Sequence, residues 1–227
     1  MTSDLSHWTP RAWPGDAPIE GRTVTVEPIR DDRRFGELFE AYRGSAEAMW
    51  RWLPYGPFAD EAAFRRFAEA TYLAGGILFH AVVPKATDRA AGVAALMRID
   101  QSNGVIEIGH IALGPALQRT VATTEMQYLL MRRVFDELGY RRYEWKCNDR
   151  NEPSKRAAER LGFRFEGTFR QHMIVKGENR DTAWFAITDG DWPALRTAFE
   201  AWLVPENFHA EGRQKRPLEA FRRGAAA

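Results

Sequence analysis

A single cysteine, Cys147, stands among 227 residues, which excludes an intrachain disulfide and points to a reducing compartment. One thiol cannot supply a cysteine-rich metal site, and the five histidines show no ligand spacing, so no metal is expected. No apolar run approaches the length that spans a bilayer, and the first residues lack a positive segment followed by an apolar one. A cytoplasmic protein is the resulting expectation. Neither sign of charge dominates: 32 Lys and Arg face 31 Asp and Glu, which removes the compositional argument for nucleic-acid or membrane partners. Glycine is missing at one telling place. "LQRTVATTE", from Leu117 to Glu125, leads from a strand into a helix, where glycines usually let backbone N–H groups close on an anion.

What is present reads as one α/β domain with terminal additions. Residues 1–21, with Pro10, Pro14 and Pro18, form an extended arm; 22–204 form the domain; 205–227 are a basic tail, mobile or packed on a second subunit. "RTVTVEPI" alternates as a first strand. Asp31 and Asp32 offer caps for a helix with Phe35, Leu38, Phe39 and Tyr42 on one face. A second helix turns Phe64, Phe67 and Leu73 inward and stops at Gly75. "ILFHAVV" and "AGVAALMRID" make a hairpin, and "VIEIGHIAL" a further strand whose alternation breaks at Gly109-His110, as at a bulge. The helix after the glycine-free turn carries Thr124-Glu125-Met126-Gln127, which matches a capping box. "RRYEWKCN" is a strand, and "NEPSKRAAERLGF" a helix with Asn151 as N-cap and Gly162 as its end. Two strands around "KGENR" and a helix from Trp192 to Leu203 follow.

Order suggests a site. If the Gly109 strand parts from the strand ending at Cys147, an extended ligand can lie between them and send its phosphates to the next helix start. On these residues alone an ordinary helix cap with a surface arginine remains open.

The run "LQRTVATTEMQYLLMRRVFDELGYRRYEWKCNDRNEPSKRAAERLGFRFEGTFRQ", with the later "KGENRDTAWFAITDGDW", resembles the core of the GNAT superfamily of N-acetyltransferases, nearest its RimJ/RimL-type branch. The resemblance runs from about Arg22 to Trp192. It implies a mixed, mostly antiparallel sheet with helices on both faces and a splayed central strand pair. It also implies acetyl-CoA as acyl donor and a primary amine as acceptor, with homodimers common. The acetyl-CoA contacts it implies fall at Ile111, Ala112 and Leu113, at Gln118 to Thr124, and at Asn148, Asn151 and Ser154. Val121 stands where the family's loop has its central glycine and Thr123 where it has a small residue. Arg119 and the Thr120 hydroxyl would then carry phosphate contacts. The family's frequent tyrosine acid falls at Ala158, which has no proton to give. Two alternatives stay open: transfer of another acyl group such as succinyl, and an acyl-CoA-binding protein without catalysis.

Acyl transfer to an amine needs a base, alignment, an oxyanion donor and help for the leaving thiolate. Glu107 is the first candidate base. His110, three residues on, faces the other way by alternation unless a bulge intervenes. The resemblance places an oxyanion donor among the N–H groups of Gly109 to Ala112 and a thiolate donor at Ser154, which otherwise is a first-turn serine. Asn151 either caps its helix or also bonds the ligand. Cys147, without a neighbouring histidine, reads as a small core residue. Trp50, Trp52 and Tyr55 lie where the family forms its acceptor site and suit a cationic amine, with packing on the core as the alternative.

Overall fold

The computed structural model describes residues 4–45 and 47–225. Eight strands form one sheet: β1 (Ile19–Glu20), β2 (Val24–Pro28), β3 (Leu78–Pro84), β4 (Gly92–Asp100), β5 (Val105–Leu113), β6 (Arg142–Asn148), β7 (Arg164–Val175) and β8 (Glu178–Thr188). Their spatial order is β1-β2-β3-β4-β5-β6-β8-β7. Every neighbouring pair is antiparallel except β5 with β6. That one parallel pair requires a crossover, and α4 (Val121–Arg132), extended by a π-helical turn to Glu137, supplies it.

Period-two alternation divides the sheet into two cores. On one face Val24, Val26, Leu96, Ile106, Ile108, Tyr143, Trp145 and Phe185 pack against α4, α5 (Glu152–Leu161) and α6 (Trp192–Leu203). On the other, Phe79, Ala81, Val83, Val93, Ala95 and Ala112 meet α1 (Phe35–Arg43), α2 (Glu47–Trp50) and α3 (Glu61–Tyr72). The expected mixed, mostly antiparallel sheet with helices on both faces is what forms.

Helix boundaries follow cap chemistry, not always the one expected. Asn151 caps α5 by accepting from the Ser154 N–H, and Gly162 ends it at φ 103°, a left-handed value that a Cβ would strain. For α1, neither Asp31 nor Asp32 caps with its side chain; the helix begins behind Arg34, the Asp32 carbonyl accepts from Phe35, and Asp31 Oδ1 accepts from the Arg33 N–H before the helix. Leu73 is exposed beyond the end of α3, so Phe64, Ala68 and Tyr72 make its inner face. The largest correction concerns α4. Thr120, not Thr124, is its N-cap, accepting from the Thr123 N–H. Gln127, the other end of the expected box, is therefore a buried residue inside the helix, and neighbouring Glu125 has a different partner. Its carboxylate, 5 % exposed, accepts from the N–H groups of Arg22 (2.6 Å) and Thr23 (2.7 Å) and from the Thr23 hydroxyl. It buckles the start of β2 to the helix.

The termini also fold onto the domain. Trp8 donates its indole N–H to the Ser102 carbonyl at 2.7 Å, and Arg11 its backbone N–H to Gln101. The segment expected as a loose tail carries α7 (Leu218–Ala225), which packs on α6 of its own chain with Leu218 fully buried. Arg222 donates to the carbonyls of Glu159 (2.6 Å) and Arg160 (3.0 Å) at the end of α5.

Replacing Glu125 by Ala leaves three donors at the β2 start without an acceptor. At about 1 kcal/mol or more for each buried unsatisfied group, Glu125→Ala should lose about 3 kcal/mol in urea unfolding; a loss below about 0.5 kcal/mol would refute the buckle.

Candidate active site

β5 and β6 pair only from Val105↔Arg142 to Ile108↔Trp145. Beyond that, β5 stays with β4 as far as Leu113, while β6 stays with β8 as far as Asn148. The sheet therefore splits between Gly109–Leu113 on one side and Lys146–Asn148 on the other, the splay the sequence led us to expect. Backbone groups on the two inner edges have no ladder partner across the gap, so the split is a place where an extended ligand can pair.

Two bulges turn side chains toward the α1–α3 side of this split. On β4, Arg98 has φ 47° and its Nε lies 3.2 Å from Glu107 Oε2. On β5, His110 has φ 47° where the register slips between Gly109 and Ala112. Left-handed backbone at such residues costs on the order of 1–2 kcal/mol. The slip brings His110 to the same face as Glu107, against simple alternation. Gly109 beside it leaves room for Met97, whose Sδ would lie 2.5 Å from a Cβ there and would have to move.

The two candidate bases differ in setting. Glu107 is 5 % exposed, accepts from Lys146 Nζ at 2.8 Å and faces Arg98; burial pushes its carboxyl up despite both cations. Lys146 also pairs with Glu144 at 2.8 Å and lies 3.7 Å over the Trp184 ring, and Arg142 continues the chain from Glu144 to Glu166. His110 is half-buried, stacks on Tyr55 (centroids 5.7 Å apart, planes at 4°) and touches Phe79. Its Nδ1 lies 3.4 Å from the Tyr55 hydroxyl. Burial pushes the imidazole below its usual value, so it is neutral near pH 7.

On the α4–α5 side, the glycine-free turn ends in the helix start. Arg119 takes φ 61°, the conformation in which glycine is cheapest, and its side chain is exposed. Other expected contacts are already engaged. Gln118 donates its amide to the Leu113 carbonyl at 3.0 Å, and the Thr120 and Thr123 hydroxyls both turn back to the Leu117 carbonyl. Val121 and Ala122, in the first turn, retain N–H groups with no intrahelical acceptor. Thr124 is buried and accepts from Arg160 Nη1 at 3.2 Å, which ties α4 to α5.

Across the split, Ser154 Oγ accepts from the Trp145 indole N–H at 3.0 Å, which leaves its own proton free to be offered elsewhere. Asn148 Oδ1 holds the turn by accepting from Arg150 N–H. Cys147 is buried, and burial pushes its thiol up, which suits a core residue and not a nucleophile. Ala158 is fully buried.

Trp50 and Trp52 line a cavity of about 560 Å³ between the α2 region, the end of β6 and the β7–β8 turn. Trp50 serves the core as well, edge-on to Tyr42 and Phe58. Tyr55 is not part of this lining; it positions His110. The cavity's cations Arg51, Arg150, Lys176 and Arg180 are not among the residues expected from the sequence. The signal was the "KGENR" turn, read only as a turn. Lys146 was equally legible, as the residue opposite Trp145 in the alternation.

Residues 23–164 match the family model described as the acetyltransferase (GNAT) domain. The chain belongs to this family of N-acetyltransferases. A crystal structure of a GCN5-related N-acetyltransferase from Brucella melitensis is 52 % identical, covering 96 % of this chain and 100 % of that one, with a TM-score of 0.94. One from Chromobacterium violaceum, titled a probable acetyltransferase of the GNAT family, is 41 % identical over 85 % of this chain and 96 % of that one, with a TM-score of 0.79. The Bacillus subtilis protein named "Putative ribosomal N-acetyltransferase YdaF" is 25 % identical over 128 residues, 56 % of this chain and 66 % of that protein, just under two thirds of its length. Among the described residues no helix is long and apolar enough to cross a membrane, and no group of His, Cys, Asp and Glu has the geometry to hold a metal.

Removing Lys146 takes one of two cationic partners from each of the buried carboxylates Glu107 and Glu144, which keep Arg98 and Arg142. Lys146→Ala should cost about 2–3 kcal/mol near pH 7, less than for a charge left with no partner. Glu107 already titrates above its unfolded value, and losing Lys146 raises it further, so the variant recovers stability as pH falls through that range. Urea unfolding at pH 7 and pH 5 checks this; a deficit that does not shrink at pH 5 would contradict the pairing.

Proposed function

We propose that the chain transfers the acetyl group of acetyl-CoA directly to a primary amine: a protein N-terminus, an amino acid or another small amine. The observation that carries this reading is the split between β5 and β6, which opens beside the first turn of α4. Edges of unpaired backbone suit the amide-bearing arm of the donor, and the freed N–H groups of Val121 and Ala122 suit its pyrophosphate. With Gln118 and the Thr120 hydroxyl engaged elsewhere, Arg119 is the side chain available to the phosphates. Ile111, Ala112, Leu113 and Asn148 line the two edges, and Asn151 and Ser154 stand at the head of α5 beside them. A protein N-terminus as acceptor accords with the ribosomal role in the name of the Bacillus subtilis relative.

In this reading His110 is the base. It is neutral, half-exposed and sits at the bulge, whereas Glu107 is committed to Lys146 and Arg98. His110 takes the proton as the amine nitrogen bonds to the thioester carbon. N–H groups in the Gly109–Ala112 stretch face the developing oxyanion. The carbon–sulfur bond then breaks, and Ser154 offers its proton to the departing thiolate.

Calorimetry with acetyl-CoA and CoA tests the first step: no binding at millimolar ligand would sink the proposal. Binding without thiol release across an amine panel would leave a non-catalytic acyl-CoA-binding protein, and release with succinyl-CoA alone would change the acyl group. His110→Gln should lower kcat by about 10²–10³-fold. It should also remove an acidic limb of the kcat/KM profile lying below the usual imidazole range; an unchanged profile would return the role to Glu107, tested by Glu107→Gln. Arg119→Gly keeps the left-handed backbone without strain and removes the guanidinium. It should raise KM for acetyl-CoA about tenfold and leave KM for the amine in place, and equal effects on both would refute the phosphate contact.

A further inference from the structure

We propose that the acceptor amine carries carboxylate groups near its nitrogen, and that Arg180, helped by Arg150, is the residue that selects it. This rests on the acetyl-transfer reading of the site. The roughly 560 Å³ cavity beside the split presents four cations, Arg51, Arg150, Lys176 and Arg180, against two acids, Glu47 and Glu178.

The cations are not equivalent. Lys176 closes the cavity wall, donating to the carbonyls of Trp50 (3.0 Å) and Gly56 (3.2 Å). Arg51 lies 4.8 Å over the Trp52 ring. Arg180 is half-buried and, among the described residues, has no carboxylate within 4.0 Å; its Nε is shielded from solvent with no acceptor at all. Elsewhere in the site buried charges are satisfied, as Lys146 and Arg142 are. A guanidinium whose Nε is cut off from water without an acceptor carries a cost that a ligand carboxylate would relieve. Burial correspondingly pushes its value down.

Sheet geometry separates Arg180 from the donor's phosphates. Ala183 and Phe185 of β8 face the α4–α5 core, so alternation sends Arg180, Thr182 and Trp184 to the opposite face, with Lys146. The turn at Arg119 leads into α4 on the other side of the sheet. The planar fork of an arginine matches a carboxylate, and a polyamine would meet like charge. The preferred acceptor is thus anionic apart from its reacting nitrogen.

The test compares acceptors matched in size. Peptides Ser-Glu-Glu-Ala and Ser-Gln-Gln-Ala, free α-amino acids and their amides, and spermidine are offered with acetyl-CoA, and thiol release is followed. The carboxylate-bearing member of each pair should show at least about tenfold higher kcat/KM, and the advantage should fall as salt rises from about 50 to 500 mM. The peptide and amino-acid arms identify which source of carboxylate is used. Arg180→Gln should shrink the anionic advantage about tenfold through KM for the acceptor, with KM for acetyl-CoA in place, and Arg180→Lys should restore part of it. Arg150→Gln, at an exposed position, gives a smaller shift of the same kind without risk to folding. Neutral amides or spermidine serving equally well, or Arg180→Gln slowing all acceptors alike, would overturn the inference while leaving acetyl transfer standing. Failure to bind acetyl-CoA would overturn both.

Discussion

Everything in this site depends on two strands that cannot stay paired. β5 and β6 run parallel for four residue pairs and then part, because β5 follows β4 and β6 follows β8. Parting leaves donors and acceptors along both inner edges without the ladder that satisfies backbone groups in a closed sheet. The fold tolerates this because the rest of the sheet is continuous on either side and both faces are covered by helices. A gap in mid-sheet is thereby a rigid slot, with one helix start at each wall: α4 after β5 and α5 after β6.

The two faces of the slot differ in chemistry. Toward α4 and α5 its floor is apolar, with Trp145, Cys147 and Ala158 buried together. Toward α1 and α3 a chain of alternating charge runs from Arg98 through Glu107, Lys146, Glu144 and Arg142 to Glu166. Each member is held by its neighbours, and that fixes Glu107 in place as a charge partner. The bulge at His110 then sets a neutral imidazole at the edge of this band, braced by Tyr55. Beside fixed charges and not among them, the base we propose keeps its lone pair for the substrate.

The fold was legible in the sequence to the extent that it rests on periodicity. β5 and the helix from Asn151 to Gly162 are bounded by strong local signals and lie where those signals put them. Local signals misled where a long-range partner competes for the same side chain. Thr124 and Gln127 fit a capping box by spacing, yet Thr120 caps the helix, and Glu125 between them is held by the N–H groups of Arg22 and Thr23, about a hundred residues away. Gln118 and Thr120 were legible as polar residues on a turn, but not as residues turned back on Leu113 and Leu117. Gly109 announced a bulge, and the bulge decided which face His110 serves. The cations of the cavity beside the split come from three separate segments, and only the tertiary fold assembles them.

The last helix gives the C-terminus a mechanical role. Arg222 occupies the carbonyls at the far end of α5, and the near end of that helix carries Asn151 and Ser154. Trimming the chain after Leu203, or tugging α7 aside with a bulky fusion partner, would uncap one end of a ten-residue helix whose other end faces the slot. The N-terminal arm grips the turn between β4 and β5 instead, through Trp8 and Arg11. The two chain ends thus act as braces on opposite walls of the same slot.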